Sequence, residues 1–203
     1  MRRNLLFLFA IVSLIAFGCK KNETATSDTV TSDTSASATS TSATDTSATT
    51  STTGTSAASL SNADKDFMTK AAQGGIAEVN AGQLAASKAT ANDVKDFGNR
   101  MVSDHGKAND ELKSLATNKG VTLPTDTDAD HKKASDALAA KTGKAFDKGY
   151  MTDMVKDHEK VVAMFDKESK DAQDPDLKSW VTKTLPTIQD HLKMAKQINS
   201  KLK

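Results

Sequence analysis

The sequence predicts an all-α domain: four long helices, paired as two hairpins and joined by one long connection that carries a short helix. Three observations predict it. From Leu60 onward the chain is rich in Ala, Lys, Asp, Met and Leu and poor in β-branched runs and aromatics, a composition that favours helix. Its apolar residues recur at three- and four-residue spacing. Two short motifs also recur at one common offset of 83 residues: Phe67-Met68-Thr69 as Tyr150-Met151-Thr152, and Asp93-Val94-Lys95-Asp96-Phe97 as Asp176-Leu177-Lys178-Ser179-Trp180. A shared offset on different helices is what two related hairpins would produce.

The first helix is expected from about Asn62 to Ser87, with Ser61 or Asn62 as its N-cap. The second runs from about Asn92 to Asn118 and is stopped by Lys119-Gly120. The connection passes Pro124 and contains a short helix from about Asp130 to Lys141, ended by Gly143. The third long helix spans about Ala145 to Ala172. The fourth starts at Pro175, with Asp174 before it as N-cap, and runs to about Ser200. Pro186 lies inside it and should kink it. The layout is that of a ferritin-like four-helix bundle with one long crossover.

The amino-terminal segment reads differently. Arg2 and Arg3 precede an apolar run from Leu5 to Phe17, too short to span a bilayer and suited to a signal peptide. Ala16-Phe17-Gly18-Cys19 resembles a bacterial lipobox, although Ala16 stands where leucine is usual. That resemblance implies cleavage before Cys19 and its acylation. The organisation expected is a signal peptide over 1–18, an acylated Cys19 with a Ser/Thr-rich tether over 19–59, and the helical domain over 60–203. The partner expected is a membrane, through lipid at Cys19. The location expected is the bacterial cell envelope, with the anchor in the outer membrane and the domain in the periplasm. Residues 24–59 are about two-thirds Ser or Thr and cannot bury enough apolar surface to offset their ordering entropy.

Composition also excludes functions. Cys19 is the only cysteine, so internal disulfides, thiol catalysis and cysteine zinc sites are ruled out for the domain. The formal net charge of +1 and the absence of a basic face argue against nucleic acid as a partner.

All four histidines follow an aspartate: Asp104-His105, Asp130-His131, Asp157-His158 and Asp190-His191. Helical phase separates them. His105 continues the seam of Val94, Phe97, Met101 and Ala108. His158 continues that of Phe146, Tyr150 and Met154, and His191 fits between Ile188 and Ala195. Glu78 falls on the small-residue seam of Ala71, Gly75, Gly82 and Ala85. Counted from the hairpin turns at 1.5 Å per residue, Glu78, His105, His158 and His191 lie within roughly 10 Å along the bundle axis. His131 sits on the crossover and is expected to be solvated.

Residues Phe67 to Ile198 resemble the bacterial domain-of-unknown-function family 4142, an exported ferritin-like family. The likeness rests on Glu78 with Gly82, on Met101-Val102-x-Asp104-His105, and on Gly143-x-x-Phe146-Asp147-x-x-Tyr150. Met154-Val155-x-Asp157-His158 and Leu185-Pro186 followed by His191 complete it. The resemblance implies fold and export and carries no activity with it.

Three readings of the polar residues stay open. Glu78, His105, His158 and His191 are candidate ligands of a single divalent or copper ion, with Asp104, Asp157 and Asp190 orienting rings from behind. They also suit a structural polar network, or a position bordering the core. A di-iron site is disfavoured: the residues three before His105, His158 and His191 are Val102, Val155 and Ile188, not glutamates. No catalytic constellation stands out, and no enzyme is expected. The leading functional expectation is a membrane-anchored, non-enzymatic binding or stress-related module. The alternative is a periplasmic protein that binds zinc, copper or iron, or acts in redox chemistry, through the His/Glu cluster.

Overall fold

The computed structural model describes residues 60–202. The signal-peptide, Cys19 and tether expectations lie outside the described residues. Five helices follow in order: α1 (Asn62–Lys88), α2 (Asn92–Asn118), α3 (Ala129–Ala139), α4 (Gly143–Asp171) and α5 (Pro175–Lys201). The bundle is all-helical and ferritin-like, with α3 on the long crossover between the hairpins α1–α2 and α4–α5.

Local chemistry sets the ends. Ser61 caps α1 in a reciprocal box with Asp64: each residue's backbone N–H reaches the other's side chain. Gly120, at φ 67°, takes the left-handed position after α2, and Val121 N–H reaches back to Ala116 O at 2.8 Å. Asp174 caps α5 by accepting from Asp176 N and Leu177 N. The helix continues through Pro186. Gly143 opens α4 at φ 56° instead of ending the short helix, which stops at Ala139. A left-handed residue serves a helix start as well as a stop when it turns the chain sharply between two helices.

Contacts between helix ends give the directions. Asp64, at the start of α1, accepts from Gln173 N beyond the end of α4. At the opposite end, Asp147 near the start of α4 accepts from Thr90 N at 3.0 Å and Ala91 N at 2.9 Å, just before α2. Ala91 has no side chain with which to cap α2, and Asp147 supplies the carboxylate from across the bundle. Lys119, after α2, meets Asp174 before α5 at 2.6 Å. So α1 opposes α4 in direction, and α2 opposes α5.

The core divides into two apolar clusters. One holds Phe67, Met68, Leu112, Phe165, Leu177, Trp180 and Ile188. The other holds Val94, Phe97, Met101, Phe146, Tyr150, Met154 and Ala195. The repeat partners Phe67 and Tyr150 fall in opposite clusters, and so do Phe97 and Trp180. The hairpins are therefore inverted relative to each other. Between the clusters each long helix contributes one buried polar residue: Glu78, His105, His158 and His191.

Where α1 crosses α2, a Cβ on Gly82 would stand 2.7 Å from Gly98 O, and one on Gly98 would stand 2.8 Å from Gly82 O. Only glycine permits this backbone approach, which holds Glu78 and His105 close together.

Candidate metal centre

Helical phase places the three rings, and packing closes them on one another. The His105–His191, His158–His191 and His105–His158 ring centroids are 5.1, 5.6 and 5.8 Å apart. His158 and His191 are fully buried and His105 is 6 % exposed. One ring nitrogen from each can be chosen so that all three lie within 4.8 Å of one another.

One nitrogen of each ring has a partner, and for His158 and His191 that partner is an acceptor that fixes the proton. His158 Nδ1–H donates to Met154 O, one turn back on α4, at 3.0 Å. His191 Nε2–H donates to Asp104 Oδ2 at 2.8 Å. His105 Nδ1 lies 3.0 Å from Glu78 Oε2. The other nitrogens, His105 Nε2, His158 Nε2 and His191 Nδ1, are buried without a hydrogen-bond partner. Buried polar atoms are rarely left so. Three unpartnered ring nitrogens in one layer form a donor set suited to a transition-metal ion, and the partnered nitrogens supply the orientation such ligands receive from behind.

Electrostatics keep the rings in their ligating form. Burial, then the neighbouring rings His191 and His158, lower His105 to about 3. Burial and His191 lower His158 to about 4. Burial lowers His191 as well, against the opposing pull of Asp104. Each imidazole is thus neutral at pH 7, the form that binds metal. Glu78 goes the other way: burial, with Asp157 nearby, raises it to about 8. Tyr150, in the adjacent apolar cluster, is raised by burial and by Glu78, and its hydroxyl has no partner.

Sequence-predicted residues divide in the structure. His105, His158 and His191 come together. Glu78 sits against their Nδ1 side, 3.0 Å from His105 and 3.5 Å from His158, the place of an orienting carboxylate. Asp104 reaches His191 across the bundle, not the ring beside it in sequence. Asp157 points to Lys160 at 3.5 Å, and Asp190 is exposed. His131 is half-buried, with Nδ1 2.9 Å from Asp128. Met154 O was not singled out from sequence, since a backbone acceptor leaves no side-chain signal.

A small cavity of about 30 Å³ adjoins Glu78 and His105, enough for one water or ion. Glu78 also lines a cleft of about 450 Å³ between α1, α3 and α4.

Residues 49–198 match the family described as "Domain of unknown function (DUF4142)". The chain belongs to that family. No curated protein matches it. Three solved structures share its fold. A DUF305 fragment from Deinococcus radiodurans is 10 % identical with TM-score 0.63, over 70 % of this chain and 99 % of that one. A structure described as CopM in the Cu(I)-bound form is 18 % identical with TM-score 0.56, over 66 % and 93 %. A putative spore coat protein from Bacillus halodurans C-125 is 12 % identical with TM-score 0.58, over 70 % and 88 %. At these identities the likeness is one of fold.

Proposed function

We propose that this protein is a non-enzymatic metal-binding module that holds one transition-metal ion between His105, His158 and His191. The observation that carries the reading is the set of three buried ring nitrogens without partners, one from each of three helices. Glu78, Asp104 and Met154 O act as orienting groups. Three nitrogens around one ion bound at about 2.0 Å stand roughly 3.5 Å apart, so the rings turn or draw together on binding wherever their nitrogens stand as far as 4.8 Å apart.

Copper(I) is the ion of choice. Three neutral nitrogens with no charged ligand suit a monovalent ion, and the soft thioethers of Met101 and Met154 lie buried one turn before His105 and His158. That a structural neighbour is described in a Cu(I)-bound form supports the choice. Zinc and iron are the competing ions.

The proposal includes export as a lipoprotein. Its support is the sequence alone: Arg2 and Arg3, the run Leu5 to Phe17, and Cys19. An envelope location would put the centre where metal arrives from outside the cell. Cys19→Ala should release the protein from membranes; continued membrane association would count against acylation.

The deciding experiment is metal analysis of the full chain, purified without an affinity tag and incubated separately with copper(I), zinc and iron(II). One equivalent of copper is expected, lost in His105→Ala and His158→Ala. Absence of stoichiometric metal in all three incubations would sink the reading. A purely structural layer, for which the Glu78–His105 and Asp104–His191 contacts speak, predicts that result together with a loss of stability in the same variants.

A further inference from the structure

We propose that the cleft between α1, α3 and α4 is the port that captures the metal cation and passes it over Glu78 to the imidazole centre. The inference rests on the metal-binding reading and adds where the ion enters. Asp128 and Asp130 face the cleft from α3 and the turn before it, and Asp153 and Asp157 from α4. Lys156 and Lys160 line the α4 rim and leave the acids in excess. Acids at a cleft mouth concentrate cations and speed their arrival.

Acids alone would say little, since solvated carboxylates are common. The second observation is Glu78 at the floor. It is 6 % exposed, it lines the cleft, and its Oε1 has no hydrogen-bond partner. His158 Nδ1, 3.5 Å from it, gives its proton to Met154 O. A buried carboxyl oxygen thus stands unpaired between an acidic vestibule and the three rings.

The path continues inward. Gly74, Glu78 and Val161 line both the cleft and the small cavity that reaches His105. We place the neck at Gly74, where a Cβ would meet nothing within 4 Å. The absent side chain leaves open space at a residue that lines both cleft and cavity, one turn from Glu78. A long side chain at Gly74 would fill that opening from the α1 wall without touching a proposed ligand.

Stopped-flow loading of the full chain with copper(I), delivered from a weak coloured chelator, tests the port. Asp130→Asn/Asp153→Asn should load about tenfold more slowly and lose most of the salt dependence of the rate. Gly74→Leu should slow loading at least as much while keeping the salt dependence. Both should reach the wild-type stoichiometry, keep the wild-type circular dichroism and melt no lower than the wild type. A substitution that merely disturbed the fold would lower stoichiometry and melting temperature together. Gly74→Ala, which adds one carbon, serves as the folded control and should load at the wild-type rate. Wild-type loading rates in both blocking variants overturn the port and leave the metal centre standing. Failure of the wild-type chain to bind copper(I) overturns both.

Discussion

Asp104 on α2 holds His191 on α5 at 2.8 Å, although its neighbour in sequence is His105. The dipeptide Asp104-His105 therefore serves two rings at once. The imidazole enters the centre directly, and the carboxylate fixes the tautomer of a ring 87 positions away. Arg100, 3.2 Å from Asp104 on the same helix, keeps the carboxylate ionised together with His191.

Asp104→Asn removes the charge and leaves the shape. If Asp104 orients His191, copper(I) affinity should fall about 10–100-fold, measured by chelator competition, with stoichiometry kept. Unchanged affinity would mean that His191 needs no support.

The metal-free chain should be most stable between about pH 6 and 7. His105, His158 and His191 have lower pKa values folded than unfolded. Their stability is present above the ordinary imidazole value of 6.5 and is lost as pH falls toward about 3 to 4. Glu78 is raised from 4.5 to about 8, so its contribution is present at low pH and lost as pH rises through that window. Below pH 6.5 three rings outweigh one carboxyl; above it Glu78 acts alone within the cluster. Urea unfolding across pH 5–9 should show the maximum, and Glu78→Gln should flatten the fall on its alkaline side. A decline of wild-type slope in that variant would assign the effect elsewhere.

Asp147→Ala should destabilise the chain by about 1–3 kcal/mol by leaving Thr90 N and Ala91 N without their buried acceptor. The melting temperature should drop by roughly 3–10 °C, while copper binding at 25 °C persists. A change within 1 °C would show that water replaces the carboxylate.

Two glycines of α1 should respond with opposite signs. Gly82→Ala drives a Cβ against Gly98 O at 2.7 Å and should cost about 1–3 kcal/mol. Gly74→Ala meets open space and should gain about 0.5–1 kcal/mol from helix propensity. Thermal unfolding of both variants decides it; equal effects would refute the close crossing.

Much of the architecture was legible because helix signals are local. Ser61, Asp174, Pro175 and Gly120 mark ends that the structure places within a residue or two. The two related hairpins were visible as the repeat of Phe67 in Tyr150 and of Phe97 in Trp180, and the opposite core clusters of these partners added their inversion. The repeat stops short of the centre, however. The same offset of 83 carries Glu78 to Val161 and His105 to Ile188, so the polar layer is not two-fold symmetric. Gly143 was misread as a stop because a left-handed glycine looks alike in sequence before and after a turn.

By itself the sequence determined which residues face the core and at what height, since 3.6-residue periodicity and distance from a turn need no partner. That sufficed to set His105, His158 and His191 in one layer and His131 outside it. Only the tertiary structure decided which nitrogen of each ring is tied and which is unpaired. It paired Asp104 with His191, turned Glu78 to the Nδ1 side, left Asp190 in solvent and found an acceptor in Met154 O. The reason is physical: hydrogen bonds between helices depend on rotation and crossing distance, and the Gly82–Gly98 approach sets these where no single helix can.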